Sequence, residues 1–182
     1  MSAHNIIIVV DVQNDFVTGS LGTKEAQEMI PRLKSKLEGL IEENKDNVLI
    51  FTKDTHDEKY LNSIEGRKLP IPHCIKETNG WLIVPEITPF TNGYNRKVIE
   101  KNTFGCVDML FTILEEIKNG FVEEIELVGL CTDICVISNA LLVKSHFPYM
   151  NIVVDSSCCA GTTVENHNKA LDIMRQCHIE VR

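Results

Sequence analysis

The sequence predicts an α/β protein, a three-layer α/β/α sandwich with a mostly parallel central sheet, as one domain over residues 1–182. Two observations carry this expectation. Short continuous apolar runs rich in β-branched residues alternate with segments whose apolar residues recur at helical spacing, about five or six of each. The chemically distinctive polar residues Asp11, Asp54, His56, Lys101 and Cys135 each follow one of these runs. That places them on one edge of the sheet, where open α/β sheets bind ligands.

The first run, Ile6 to Val10, reads as a strand buried on both faces and ends at Asp11, followed by the polar loop Val12-Gln13-Asn14-Asp15-Phe16. Helical spacing then runs through Met29, Ile30, Leu33, Leu37, Leu40 and Ile41, with Pro31 near the start, where proline is tolerated. Val48 to Thr52 is the second strand and delivers Lys53-Asp54-Thr55-His56. Alternate residues share a face at a strand's end, so Asp54 and His56 should point the same way. An irregular segment continues through Glu65 to Leu69-Pro70-Ile71-Pro72-His73-Cys74, where the prolines argue against a helix. Asp54, His56 and His73, joined by Glu65, make an oxygen and nitrogen ligand set suited to zinc, iron or manganese.

Trp81 to Ile87 holds a short extended piece, and Tyr94 to Lys101 reads as a strand that carries the Lys101 cation to its end. Val107, Leu110, Phe111, Leu114 and Ile117 form an amphipathic helix closed by Asn119-Gly120. Ile125 to Leu130 then feeds through Cys131-Thr132-Asp133 into a helix marked by Ile134, Ile137 and Leu141. Cys135 falls in that helix's first turn, where free N–H groups and the macrodipole would lower a thiol's pKa and could hold an oxyanion. Ile152 to Val154 is a further strand, and Thr162-Thr163-Val164-Glu165 reads as a capping box for a last helix through Ala170, Leu171 and Met174. Ile179 to Val181 closes the chain as a strand. His146, His167 and His178 read as surface or packing residues.

Composition narrows the function classes. With 43% hydrophobic and 24% charged residues the chain can fill a core, and a net charge of -8 argues against nucleic-acid or anionic-membrane partners. No stretch reads as a signal peptide or membrane span, and seven cysteines without a regular framework suggest reduced thiols, so a cytoplasmic protein is expected. A homo-oligomer is compatible with all of this.

Val10-Asp11-Val12-Gln13-Asn14-Asp15-Phe16, Thr52-Lys53-Asp54-Thr55-His56, Pro72-His73-Cys74 and Gly129-Leu130-Cys131-Thr132-Asp133-Ile134-Cys135, in that order, resemble the motifs of the isochorismatase-like cysteine hydrolases, in their nicotinamidase/pyrazinamidase branch. The resemblance spans nearly the whole chain. It implies a catalytic triad of Asp11, Lys101 and Cys135, and a divalent metal on Asp54, His56 and His73. It also implies an oxyanion hole from the N–H groups of Cys131 and Cys135 with a cis peptide at Leu130-Cys131. The histidine that many members carry after the D-x-H pair is missing between Asp57 and Ile64, which leaves Glu65 as the fourth ligand candidate. An aromatic usual before the P-H-C segment is also missing, so Phe16 and Phe104 would form the walls around a substrate ring. The expected reaction is hydrolysis of a small amide, nicotinamide first, through a thioester. The rivals are another amide, imide or carbamoyl substrate, or a redox-sensing protein using Cys131, Cys135, Cys158 and Cys159.

Overall fold

The apolar runs at the start of the chain form strands with no solvent-facing side: β1 (Ala3–Val10) and β2 (Val48–Asp54) are buried almost throughout. The structure is a computed structural model and describes residues 3–182. Four more strands complete the sheet: β3 (Arg96–Lys101), β4 (Phe121–Leu130), β5 (Asn151–Ala160) and β6 (Glu180–Val181). Their order is β3-β2-β1-β4-β5-β6, and each neighbouring pair is parallel. The chain builds outward from β1 to β3 and then returns to place β4 on β1's other side. The order reverses between β1 and β4, and a crevice opens beyond their carboxyl ends at such a point.

The alternation of side chains along β1 divides the core into two. Ile7 and Val9, with Leu49 and Phe51 of β2, face helix α2 (Lys24–Glu43) through its Ala26, Met29, Ile30, Leu33 and Leu37. Ile6, Ile8 and Val10 face the other way, against α4 (Asp108–Asn119), α5 (Ile137–His146) and α6 (Val164–Gln176). These layers form the expected sandwich. Each large side chain so buried contributes about 1.5–3 kcal/mol. Two short helices, α1 (Asn14–Val17) and α3 (Ile64–Lys68), sit in the loops above the sheet's carboxyl edge. Among the described residues no helix is long and apolar enough to cross a membrane.

Several local expectations change. Helix α2 begins five residues before Met29, capped by the Thr23 hydroxyl, so Pro31 lies in its interior rather than near its start. Both Pro31 and Gln27 are exposed, which leaves water to satisfy the carbonyl that a proline cannot serve. The prolines after Glu65 did not prevent a helix. They follow α3, whose N-terminus is capped by Ser63. The cap of α6 is Thr163, accepting from the Asn166 N–H, while Thr162 bonds Asp133 and Glu165 pairs with Lys169. Strand β5 runs well past Val154. Its register against β4 jumps between Leu127↔Val154 and Gly129↔Cys159, a bulge that brings Asp155 to Lys36 of α2. The same Lys36 ammonium lies 2.8 Å from the buried Glu126 carboxylate, which would otherwise stand uncompensated in the core.

Gly129 lies at φ 115°, and a Cβ there would stand 2.2 Å from the Val10 carbonyl oxygen of the adjacent strand. Gly129→Ala is therefore expected to cost more than about 2 kcal/mol, because strain and a backbone overlap add. A denaturant melt measures this, and an unchanged midpoint would contradict it.

Candidate active site

The carboxyl ends of four adjacent strands converge. Asp11 follows β1 in the left-handed region at φ 47°, a conformation uncommon for a residue with a Cβ. Thr52 fixes its carboxylate: the Thr52 hydroxyl donates to Asp11 Oδ1 at 2.7 Å. Lys101, the last residue of β3, places its ammonium 2.6 Å from Asp11 Oδ2, 3.5 Å from Asp54 Oδ1 and 3.7 Å from the Cys135 sulfur. Asp11, Lys101 and Cys135 are 0%, 6% and 5% exposed. The three residues that the sequence placed together are in mutual contact.

Cys135 sits in a π-helical turn, Thr132–Val136, that precedes α5, rather than in the first turn of an α-helix. The Cys131 carbonyl accepts from the N–H groups of Ile134 and Val136, and the Leu130–Cys131 peptide is cis. The expected lowering of the thiol's pKa is reversed. Burial pushes the Cys135 thiol well up, and the Asp11 carboxylate, within hydrogen-bonding reach, pushes it further, against the pull of Lys101. Burial also raises Asp11, which Lys101 draws back down. Lys101 is raised in spite of its burial, because Asp11, Cys135 and Asp54 favour its charge. The Cys135 sulfur thus stands against the Asp11–Lys101 pair.

On the Asp54 side of the same edge, Asp54 Oδ2 lies 3.0 Å from His56 Nε2 and 3.5 Å from His73 Nε2. Ligands about 2.0–2.2 Å from one ion stand roughly 3–3.5 Å apart, so these spacings fit a shared divalent cation. The tautomer of His73 agrees. Its Nδ1 donates to the Ile71 carbonyl at 2.9 Å, which in a neutral ring leaves the Nε2 lone pair facing a carboxylate. A proton or a metal cation must stand between the two lone pairs, and the two compete for the place. Glu65 Oε1 lies farther off, 3.9 Å from His56 Nε2 and 3.8 Å from His73 Nε2, on the rim supplied by α3.

A cavity of about 840 Å³ opens over this edge, with Asp54, His73, Cys131 and Cys135 along its lining. Phe16 and Phe104 both line it, Phe16 buried and Phe104 48% exposed, and Glu65 and Leu69 line it as well. Asp11 lies behind Cys135, where it can exchange a proton with the sulfur without meeting bulk water.

Some residues that hold the site together were given no role by the sequence, although Gln13 stands within the first of its motifs. Gln13 accepts from the Asp54 N–H at 2.7 Å and donates to the Asp54 and Trp81 carbonyls, tying β1's loop to β2's end. Tyr60 packs against both imidazoles, with ring centroids 4.7 Å from His56 and 4.9 Å from His73. Asn139 donates to the Cys135 carbonyl and accepts from Cys106 N–H, joining the nucleophile's turn to the loop after β3. His167, read as a surface or packing residue, reaches the Thr132 hydroxyl at 2.8 Å from α6. A polar side chain that bonds backbone leaves no periodic trace, and helix position was the available clue only for Asn139.

Fold and edge together define a hydrolytic enzyme of the three-layer α/β class. The chain belongs to the isochorismatase family, whose domain model matches residues 5–182. A nicotinamidase of Schizosaccharomyces pombe is 28% identical, with all of this chain and 94% of that protein aligned. The pyrazinamidase/nicotinamidase from Streptococcus mutans superposes with a TM-score of 0.82 at 26% identity, covering all of both chains. The pyrazinamidase of Pyrococcus horikoshii, solved in complex with zinc, shares the fold at 24% identity, a TM-score of 0.78 and 98% coverage of each chain.

Proposed function

We propose that the protein is a metal-dependent cysteine amidohydrolase that converts nicotinamide to nicotinate and ammonia. It is a hydrolase acting on amide carbon–nitrogen bonds, as its relatives are. The observation that carries the reading is the contact of the Asp11–Lys101 pair with Cys135, which lines a cavity together with Asp54 and His73 of the Asp54, His56 and His73 cluster.

The steps follow from the contacts of Asp11, Lys101 and Cys135. A thiol held protonated by burial is a poor nucleophile until a base removes its proton, and Asp11 is that base. The Asp11 carboxylate takes the Cys135 proton as sulfur attacks the amide carbon. The resulting oxyanion is held by the N–H groups of Cys131 and Cys135. Asp11 returns the proton to the leaving nitrogen, ammonia departs and a thioester remains. Water then attacks the thioester, Asp11 takes a proton from it and restores the thiol, and the carboxylic acid leaves. Lys101 stays charged throughout and keeps Asp11 ionised in a buried site. Asp54, His56 and His73 would hold a divalent ion, with Glu65 at its rim, and that ion supplies an electrophilic anchor for the substrate's ring nitrogen. Phe16 and Phe104 flank the ring.

Ammonia release from nicotinamide by the purified protein, with and without a chelator, tests this directly. Release that a chelator abolishes supports it, and no release in metal-supplemented protein overturns it. Asp11→Asn is expected to slow turnover by about 10²–10⁴-fold. The same change removes the group that takes the thiol's proton, so alkylation of Cys135 by iodoacetamide at neutral pH should slow as well. Turnover and alkylation both at the parent rate would contradict the base assignment.

A second reading concerns substrate width. A cavity of about 840 Å³ belongs with pockets that hold drug-sized molecules, and Leu69 lines it where an aromatic is usual in the family. Bulkier aromatic amides are therefore candidate substrates beside nicotinamide, and a screen of amides for ammonia release separates them. The redox reading finds little support: Cys158 and Cys159 project into opposite halves of the core.

A further inference from the structure

Away from the catalytic cavity, a buried cation stands without an anion. Lys53 precedes Asp54 in β2 and projects from the opposite face of the sheet. It is 7% exposed, and its ammonium lies 2.9 Å from the centroid of the Trp81 ring. Its cross-strand partner is Glu100, but that carboxylate is held by Lys76 at 2.8 Å. Among the described residues no carboxylate lies within ion-pairing distance of Lys53. The indole face offsets the loss of water only in part, because a π-face accepts no directed hydrogen bond from an ammonium that has three to give.

Lys53 lines a groove of about 630 Å³ together with Asn14, Asn79, Leu82, Pro89 and Val98. The groove pairs one cation and two side-chain amides with an apolar wall. We propose that it is a second ligand site, distinct from the catalytic cavity, that takes an aromatic monocarboxylate. The carboxylate pairs with the Lys53 ammonium, with the exposed Asn79 amide beside it, and the ring lies on Leu82, Pro89 and Val98. A single ammonium with no guanidinium suits a monoanion better than a phosphate. Such an acid could be a product of amide hydrolysis or an unrelated metabolite, and the site does not depend on the reading of the reaction.

Trp81 is the only tryptophan in the chain and its ring meets the Lys53 ammonium, so its emission reports on a ligand that engages Lys53. Benzoate and nicotinate should each be titrated against protein whose Cys135 has been alkylated, which stops turnover, and the Lys53 and Val98 variants below assign the response to the groove. A saturable change in emission with both acids supports a site for aromatic acids in general, and one with nicotinate alone supports a product site. Lys53→Arg should keep the response. Lys53→Met should weaken it by about tenfold or more, as expected for a lost charge-assisted hydrogen bond. Val98→Glu, at an exposed position, should also weaken it by placing a carboxylate in the groove and controls for any misfolding of the Lys53 variant. No saturable change with either acid, or full binding by folded Lys53→Met, overturns the proposal.

Discussion

Replacing Cys135 by alanine is expected to lower ammonia release by about 10⁴-fold or more, because no other group in the cavity can form the thioester. Cys131 lines the same cavity, but burial pushes its thiol up to about 12 and Asp133 adds to this. Unlike Cys135, whose sulfur lies 3.7 Å from the Lys101 ammonium that holds Asp11, it has no catalytic pair beside it to take its proton. The fold should survive, since removing one buried sulfur costs only about 1 kcal/mol. Cys158→Ala and Cys159→Ala lie in β5 and should retain turnover. Wild-type turnover in Cys135→Ala protein would make the thiol structural, and lost turnover in folded Cys158→Ala or Cys159→Ala protein would reopen the redox reading.

His73→Ala is expected to cost both metal and turnover, the latter by about 10²-fold or more, while leaving Cys135 open to iodoacetamide. The side chain is buried and its Nε2 is one of three ligand atoms that all lie within 4.8 Å of one another. Elemental analysis of the purified variant beside the parent measures the first effect, and a labelling rate measures the last. A full complement of metal in the variant would remove His73 from the ligand set. The pH dependence has a definite sign. Burial alone would lower the His73 pKa, but the Asp54 hydrogen bond and the Ile71 carbonyl outweigh it and the imidazole is raised. A proton therefore competes with the metal, and occupancy should fall as pH drops, starting above the ordinary imidazole value of about 6.5.

The sequence by itself determined the sandwich, because a strand buried on both faces must be apolar throughout and a helix on a sheet must repeat its apolar residues every three or four positions. Ile6 to Val10 and Val48 to Phe51 obey the first rule, Ile125 to Leu130 obeys it except at Glu126, whose carboxylate Lys36 meets, and Met29 to Leu37 obey the second. It also placed Asp11, Asp54, Lys101 and Cys135 at strand ends, and parallel pairing brings such ends to one edge whatever the strand order. Tertiary structure alone decided the order β3-β2-β1-β4 that sets Lys101, Asp54, Asp11 and Cys135 side by side. It decided the length and bulge of β5, since Asp155 and Ser156 look like the end of a strand until Lys36 and the chain terminus satisfy them. It reversed the expected direction of the Cys135 pKa, because the macrodipole can be read from a helix start but burial and a facing carboxylate cannot. Gln13, Thr52 and Tyr60 belong to the same class: their partners lie more than forty residues away or across a ring face, and local periodicity holds no record of contacts made at that range.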